Sequence, residues 1–379
     1  MRRIYNLIAN MLRKHSLLLF VVATTLMSAL RSPLNAQEPA RWFGIFRRPL
    51  DSKPIITPNP RAAFADPILK TKVHWEALHT FNPAAIVRGR AVDVLYRAED
   101  DSGSMQIGMH TSRLGLAESA DGIHFTKKAE PVFYPRKDAQ QDREWPGGVE
   151  DPRLVESEDG TYILTYTQWN RKTYTVGIAT SRDLITWQKF GPAFGISDKY
   201  ARLHYKSAGI LTRLVGDRLL ATKVNGKYWM YWGEIHVGLA TSADLIHWKP
   251  VEDPQGKPLV LLAPRPGKFD SALPEVGPPP VLTEEGIVLL YNGKNATTGG
   301  DPKLAPGTYS IGSALFAAHD PARLLHRSEE PFFRPERPWE QSGQYTAGTT
   351  FGEGFVRFRN RWLLYYGCAD SLVGVAMSQ

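Results

Sequence analysis

The chain has 379 residues, of which 42% are hydrophobic and 22% charged, with a formal net charge of +8. This is an ordinary globular composition with enough apolar residues to bury a large core. The single cysteine, Cys368, excludes an internal disulfide, and we expect it to be a small core residue.

The N-terminal segment differs in composition from the rest of the chain. Arg2, Arg3, Arg13 and Lys14 precede an apolar run, Leu17–Val22, and small residues follow up to Ala36. Residues 1–36 are therefore predicted to be a secretory signal peptide, since the run is too short for a comfortable membrane span. We expect an exported protein, periplasmic, extracellular or on the cell surface, without membrane insertion after cleavage.

Signal cleavage also changes what the charge implies about partners. Residues 1–36 carry five Lys/Arg and no Asp/Glu, so the net charge falls from +8 to +3 when they are removed. The remaining chain contains no dense Lys/Arg run, and a nucleic-acid partner is therefore not expected.

Two out-of-phase repeats follow in the mature chain. Gly-x-Ala segments, several continuing into Ser-x-Asp and an aromatic residue, begin at Gly115, Gly177, Gly238, Gly312 and Gly374, at intervals of 62, 61, 74 and 62 residues. The second repeat ends in paired apolar residues and reads NPAAIV from Asn82, EDPRLV from Glu150, KSAGIL from Lys206, GPPPVL from Gly277 and, more loosely, FGEGFV from Phe351. Self-similarity at such a period indicates one supersecondary unit used several times.

Most units continue with a strand-like run after a turn, although the third offers only the weaker RLLATKV. Three or four short strands per unit, five units and no sustained helical period predict an all-β, five-bladed β-propeller that forms a single domain over residues 37–379. The last repeat stops at GVAMSQ, before an outer strand. The segment around Trp42–Ile56 is therefore predicted to complete the final blade.

Some polar residues have simple structural explanations. The Ser-x-Asp turns resemble the Asp-box hairpins of sialidases, and Asp121, Asp183 and Asp244 are expected to bond their own backbone. The histidines show no metal-ligand spacing, and no phosphate-binding glycine loop or Gly-x-Ser-x-Gly motif occurs. No metal and no cofactor are expected.

Other polar residues lie where the second repeat begins, which places them at one mouth of a propeller channel. They are Asn82, the Glu150–Arg153 group, Lys206 and Glu275. Two carboxylates and neighbouring bases in one pocket suit glycosidic bond cleavage, which requires an acid and a base or nucleophile. Each residue also has an ordinary alternative: Asp151 as a turn residue, Lys206 as a solvated strand start, and Glu275 as a surface carboxylate. Glu234, in Trp-Gly-Glu, is equally ambiguous.

Several motifs along nearly the whole mature chain match one family. They are GGVEDPRLV (147–155), YTQW with GIATSRDLITW, YKSAGIL, DLIHW, GPPPVL with GIVLLYNGKN, and YYGCADSLVGVA (365–376). As a set they resemble glycoside hydrolase family 130, the mannoside phosphorylase family. The resemblance implies a five-bladed propeller and an inverting enzyme acting on β-mannosides.

The resemblance also implies residue roles. Asp151 matches the general acid, whose proton reaches the glycosidic oxygen through a hydroxyl of the bound mannose. Asn82, Arg97 and Asp370 match residues that help to hold that mannose. A relayed proton implies that the distance from acid to base exceeds the usual inverting range.

The departures from the family pattern bear on phosphate. The resemblance implies two phosphate-binding segments. One is Tyr-His-Gly, and this chain has Asn292 in place of its His. The other is a His-Arg segment, and this chain has Glu234 there. Glu275 lies in a stretch that is often basic or glycine-rich in phosphorylases. The carboxylates of Glu234 and Glu275 would repel a phosphate dianion and could instead position and deprotonate water. Arg153 and Lys206 remain, so the basic site is reduced rather than absent.

The sequence thus predicts an inverting, exo-acting β-mannosidase that prefers β-1,2 linkages in a mannose-containing oligosaccharide. Asp151 is the predicted acid, Glu234 and Glu275 the predicted water-binding pair, and the predicted substrate contacts are Asn82, Arg97, Arg153, Lys206, Asn292 and Asp370. A β-mannoside phosphorylase and a non-catalytic sugar-binding propeller remain alternatives, as does a sialidase- or arabinanase-like enzyme. Linkage, chain length, oligomeric state and the identity of the base among the two glutamates stay open.

Overall fold

The computed structural model describes residues 42–50, 53–196, 199–200 and 203–379, so the predicted signal peptide lies outside the described residues. The described part is mostly β, with two four-residue helices, α1 (Gln141–Glu144) and α2 (Pro338–Gln341). None of its helices is long and apolar enough to span a bilayer. Three two-residue strands precede the repeats: β1 (Phe46–Arg47), β2 (Phe64–Ala65) and β3 (Lys72–Val73).

The first two repeat units are four-stranded antiparallel meanders in which each strand pairs with the next. The first unit contains β4 (His79–Arg88), β5 (Ala91–Glu99), β6 (Ser112–Ser119) and β7 (Thr126–Lys127). The second contains β8 (Gly148–Glu156), β9 (Tyr162–Trp169), β10 (Tyr174–Ser181) and β11 (Trp187–Pro192). Their inner strands are buried on both faces, as expected for sheets covered on both sides.

The third unit is more broken. It contains β12 (Ala208–Ile210), β13 (Thr212–Val215), β14 (Arg218–Ala221), β15 (Lys223–Val224), β16 (Lys227–Trp232), β17 (Gly238–Ser242) and β18 (Trp248–Pro250). As expected, RLLATKV supplies strands after KSAGIL: RLLA forms β14, which pairs with β13 in a hairpin, and KV forms β15. The strand that pairs with β12, however, is the later strand β16.

The last two units return to the regular pattern. The fourth contains β19 (Leu273–Val276), β20 (Val281–Thr283), β21 (Gly286–Lys294), β22 (Tyr309–Ala317) and β23 (Asp320–Arg327). The fifth contains β24 (Thr350–Phe358), β25 (Arg361–Cys368) and β26 (Leu372–Ser378). Strand β1 pairs antiparallel with β26, and Ile56 bridges to Val373, so these described residues of the segment around Trp42–Ile56 extend the fifth unit as predicted.

Apolar side chains between successive units form five separate core clusters in the described chain. Each cluster joins one unit to the next, and the last joins the fifth unit to the first through residues such as Val356 and Val94. Cys368 is fully buried in the cluster between the fourth and fifth units, as expected. Each unit therefore covers the apolar faces of its two neighbours, and the chain of contacts returns to its start.

The Ser-x-Asp turns have the expected local hydrogen bonds. In each turn one carboxylate oxygen of Asp121, Asp183 or Asp244 accepts two backbone N–H groups two and three residues ahead. The same oxygen contacts the serine hydroxyl that begins the motif. These aspartates stabilise hairpin turns, and none of them lines the cavity described below.

Candidate active site

A cavity of about 340 Å³ collects side chains from all five units. Its wall is formed by Phe81, Asn82, Arg97, Ile107, Gly108, Glu150, Asp151, Thr167, Trp169, Tyr174, Lys206, Glu234, Glu275, Lys294, Tyr309, Tyr345, Phe351 and Asp370. Seven of the nine residues predicted from the sequence are among them. The repeat therefore brings together residues separated by up to 288 positions, from Asn82 to Asp370.

Local backbone irregularities aim two of these side chains into the cavity. The β4–β5 register shifts at Asn82, and the β8–β9 register shifts at Asp151. Both residues adopt a left-handed φ, 46° and 48°. A bulge with an extra residue turns a side chain out of the ordinary alternation, which is why bulges recur at functional sites. Room for the Asn82 amide comes from Gly367, where an added Cβ would lie 2.2 Å from Asn82 Oδ1.

Asp151 lies in a buried, charged corner of the cavity. Its Oδ1 accepts hydrogen bonds from Asn82 Nδ2 at 2.8 Å and from Arg97 Nη1 at 3.1 Å. Arg97 Nη2 also donates to Glu99 Oε1 at 2.7 Å and to Glu150 Oε1 at 2.8 Å. A single guanidinium thus joins three carboxylates.

The protonation of this corner follows from burial and from the position of Arg97. Burial raises the pKa of Glu150 to about 7, since the negative charges of Asp151 and Glu99 offset the attraction of Arg97. Burial would also raise the pKa of Asp151, but Arg97, Lys206 and Arg153 outweigh it and lower the value to about 2. Burial raises the pKa of Asp370 to about 7. Without substrate, Asp151 is therefore a carboxylate at neutral pH, and the protons of this corner reside on its neighbours.

A second pair of carboxylates faces one lysine on the other side of the cavity. Lys206 Nζ lies 3.4 Å from Glu234 Oε2 and 3.6 Å from Glu275 Oε1. A backbone β-bridge joins Glu234 to Glu275 and fixes their separation along the wall. Ser207 Oγ donates to Glu275 Oε1 at 2.5 Å.

The environment of this pair favours a proton acceptor. Burial and the nearby Glu234 raise the pKa of Glu275, against the opposing attraction of Lys206. Burial, together with the charge of Glu234 and a hydrogen bond to it, raises the pKa of Tyr174 to about 12, so this phenol stays protonated. The pair can hold and deprotonate a water molecule, because it offers acceptor oxygens next to one fixed cation.

Two predicted substrate contacts need correction. Arg153 does not line the cavity: it is 1% exposed, donates to the carbonyls of Val276 and Gly277, and pairs with Glu353 at 2.9 Å. Asn292 is fully buried and bonds both backbone groups of Gly352. Both side chains support the wall by joining strands of different units, and neither contacts the cavity.

The sequence did not single out several aromatic and basic lining residues. The cavity is lined by five such aromatic residues and by one lysine: Phe81, Trp169, Tyr309, Tyr345, Phe351 and Lys294. Aromatic faces are the surfaces on which sugar rings stack. Most of these residues lie at or next to the ends of strands, so a search for aromatic residues at repeat boundaries could have found them.

One cluster outside the cavity also escaped the sequence analysis. His79, Glu99 and His110 each offer a metal-ligand atom, and these atoms lie within 4.8 Å of one another. The sequence spacing hid the cluster, because His79 begins β4, Glu99 ends β5 and His110 lies in the loop two residues before β6. None of the three is among the residues that line the cavity.

Comparison with known proteins places this architecture in a family. The family model described as beta-1,4-mannooligosaccharide phosphorylase matches residues 51–379. A 1,2-beta-oligomannan phosphorylase of Thermoanaerobacter sp. is 30% identical over 332 residues, which cover 86% of this chain and 95% of that protein.

Two solved structures are closer in sequence. A glycosyl hydrolase from Bacteroides ovatus is 51% identical with a TM-score of 0.87, and the match covers 89% of this chain and 94% of the other. Another structure is 50% identical with a TM-score of 0.87, and the match covers 88% of this chain and 94% of the other. It is described under the statement that the GH130 family of mannoside phosphorylases contains glycoside hydrolases that target beta-1,2 mannosidic linkages in Candida mannan. The extent of the family match and these likenesses lead to one conclusion: the chain belongs to glycoside hydrolase family 130, whose members are mannoside phosphorylases and hydrolases.

Proposed function

We propose that the five units are the blades of a five-bladed β-propeller and that residues 37–379 form one catalytic domain. The five core clusters, each between consecutive units and the last between the fifth and first, support a closed ring. Strand β1 contributes the outer strand of the last blade, so closure joins the start of the domain to its end. The cavity then lies at one mouth of the central channel.

The proposed activity is inverting, exo-acting hydrolysis of β-mannosides, with β-1,2 linkages preferred. The observation that carries it is the Glu234–Glu275 pair beside Lys206. Two carboxylates against one cation disfavour a bound phosphate dianion, whereas a neutral water molecule suffers no such repulsion. The relative described as targeting beta-1,2 linkages supports the linkage.

In the proposed reaction Glu275 is the base and Glu234 positions the water. The raised pKa of Glu275 makes it a stronger proton acceptor than an ordinary carboxylate, and Ser207 fixes its orientation. The water attacks the anomeric carbon as the glycosidic bond breaks, so the released mannose has the inverted configuration.

Asp151 is the proposed general acid, and its proton comes from within the cavity. Because the free enzyme holds Asp151 as a carboxylate, the proton must first come from a neighbour of higher pKa, and Glu150 and Asp370 are the candidates. A hydroxyl of the bound mannose relays the proton to the leaving oxygen. Asn82 and Arg97 hold Asp151 in place for this transfer.

A phosphorylase is the second candidate function. Lys206 and Lys294 are cations of the cavity wall, and the curated relatives are phosphorylases of β-mannosides. The two functions are separated by incubating β-1,2-mannobiose with the protein in phosphate-free buffer and in buffer with added phosphate. Mannose release without phosphate supports the hydrolase, and mannose 1-phosphate formed only with phosphate supports the phosphorylase.

We propose further that residues 1–36 are a signal peptide and that the protein is exported. The basic start and short apolar run are the basis for this proposal. N-terminal sequencing of the protein recovered from its native host tests it. A mature chain that begins near Gln37 supports export, and an intact Met1 terminus contradicts it.

A further inference from the structure

We propose that His79, Glu99 and His110 form a binding site for one zinc-like transition-metal ion beside the active-site cavity. Three neighbouring strand ends of the first unit bring the residues together. His79 pairs with Glu99 in the β4–β5 ladder. Glu99 pairs in turn with Ser112 of β6, and His110 lies two residues before Ser112. Residues paired across a sheet in this way have Cβ atoms about 5 Å apart, close enough for their side chains to share one ion.

The ligand atoms need only a small movement to bind an ion. All three lie within 4.8 Å of one another, and the centre of an equilateral triangle of that side is about 2.8 Å from each corner. Zinc sites have Zn–N and Zn–O distances of about 2.0–2.2 Å, so each atom would move inward by about 0.7 Å. The imidazole centroids are 6.1 Å apart with the rings inclined at 60°, so the rings are not stacked.

Hydrogen bonds already orient His110 as a metal ligand. Its Nδ1 lies 2.8 Å from the Ser102 carbonyl oxygen, which can only accept, so Nδ1 carries the proton. In the neutral ring Nε2 then carries the free lone pair. A backbone carbonyl on the far nitrogen is the usual outer partner of a metal-binding histidine.

His79 and Glu99 are compatible with the same role. His79 Nδ1 lies 3.0 Å from Ser371 Oγ, a hydroxyl that can accept this N–H as well as the N–H of Gln344. The two Glu99 oxygens accept from Arg97 and from Gln344 Nε2, and a carboxylate oxygen retains a further lone pair for a metal.

The charge and chemistry of the surroundings select the class of ion. Glu99 belongs to a group in which Arg97 faces four carboxylates, those of Glu150, Glu99, Asp151 and Asp370. The Glu99 carboxylate lies next to the two imidazoles, and its negative charge attracts a cation. Two imidazoles with one carboxylate favour zinc and related transition metals, whereas Ca²⁺ and Mg²⁺ require oxygen ligands.

A bound ion would stabilise one wall of the cavity without taking part in the reaction. His110 closes the loop that follows Glu99, and this loop supplies Ile107 and Gly108 to the cavity wall. Glu99 accepts a hydrogen bond from Arg97 Nη2 and so helps to fix the position of the Arg97 side chain. The proposal therefore concerns the position of wall residues and does not depend on which reaction the cavity performs.

The test is zinc binding by the full-length mature protein without an affinity tag. The protein is treated with a chelator, dialysed and titrated with Zn²⁺ by calorimetry, and the retained metal is measured by mass spectrometry after gel filtration. We expect one zinc per chain and a rise in Tm on its addition. With Co²⁺ we expect the intense visible absorption of a four-coordinate site.

The variants are His110→Gln, His79→Gln and, as matched control, His247→Gln. His247 also has Nδ1 bonded, to Asp244, but its side chain is 85% exposed. The first two should lose the bound zinc and the Tm shift, and the control should retain both. Failure of the wild-type protein to bind zinc, or unchanged stoichiometry in both His110→Gln and His79→Gln with native circular dichroism, would overturn the proposal.

Discussion

Replacement of Glu275 by glutamine is the most informative single change in the proposed water site. The amide of the Glu275→Gln variant cannot accept the proton of water at neutral pH, although the side-chain volume and the contact with Ser207 are retained. Loss of a general base costs about 10²–10⁴ in rate, which corresponds to roughly 3–5 kcal/mol in the activation barrier. We therefore expect kcat to fall by this factor with little change in KM.

The same substitution changes the electrostatics around Lys206. At about 4 Å and an effective dielectric constant near 20, two unit charges interact by about 4 kcal/mol. Glu234 and Glu275 both help to raise the pKa of Lys206 above its usual value. When the charge of Glu275 is removed, only Glu234 of the pair remains, so the pKa of Lys206 should move down toward its usual value. Phosphate should then meet less repulsion than in the wild-type protein.

The assay measures mannose release from β-1,2-mannobiose in phosphate-free buffer, with Glu284→Gln as control because Glu284 is exposed in the turn before β21. Circular dichroism and thermal unfolding monitor the fold. A Glu275→Gln protein with native spectra and kcat within tenfold of wild type would refute the role of Glu275 as base. Added azide, which needs no base, should restore turnover and give the α-mannosyl product.

Three further predictions follow from the cavity. Asp151→Asn should lower kcat at least about 10³-fold while the protein stays folded. Single-turnover kinetics measure the rate and circular dichroism monitors the fold, and near-wild-type turnover would contradict the acid role. Because Glu150 and Asp370 hold protons with pKa values near 7, kcat/KM should fall as pH rises above about 7, and a profile flat to pH 9 would exclude this proton source. Arg153→Met should lower the free energy of unfolding by about 1–3 kcal/mol for each buried acceptor left unpaired, since Arg153 pairs with Glu353 and donates to the carbonyls of Val276 and Gly277, and denaturant titration measures the loss.

Much of the fold could be predicted from the sequence because the repeats carry local signals. Gly-x-Ala strands and Ser-x-Asp turns recur with nearly constant spacing, and their side-chain bonds are made within a few residues. The pairing of the N-terminal segment with β26 followed from an incomplete last repeat. The third unit was harder, because the sequence did not predict the aromatic strand β16, which pairs with β12 and lies beside the short strands that RLLATKV forms.

The site was predicted where residue type and repeat position agreed, as for Asp151 and Glu275. Arg153 was predicted to contact substrate as a remaining basic residue, and Asn292 because it stands where the family has a phosphate-binding His. Alternation along a strand, however, turns neighbouring side chains to different sides. Their partners, Gly277 and Gly352, belong to other units, and the sequence does not reveal such contacts. The His79–Glu99–His110 cluster was missed for the same reason, since strand register and not sequence spacing assembles it.

In the proposed function, Glu234 and Glu275 make the cavity a site for water rather than phosphate. The measurement that tests it most directly is product analysis of β-1,2-mannobiose treated with the mature wild-type protein, with phosphate rigorously removed and then added back. We expect mannose as the product, initially in the α configuration by NMR, at a rate that added phosphate does not increase. Strict dependence on phosphate, with mannose 1-phosphate as product, would contradict it.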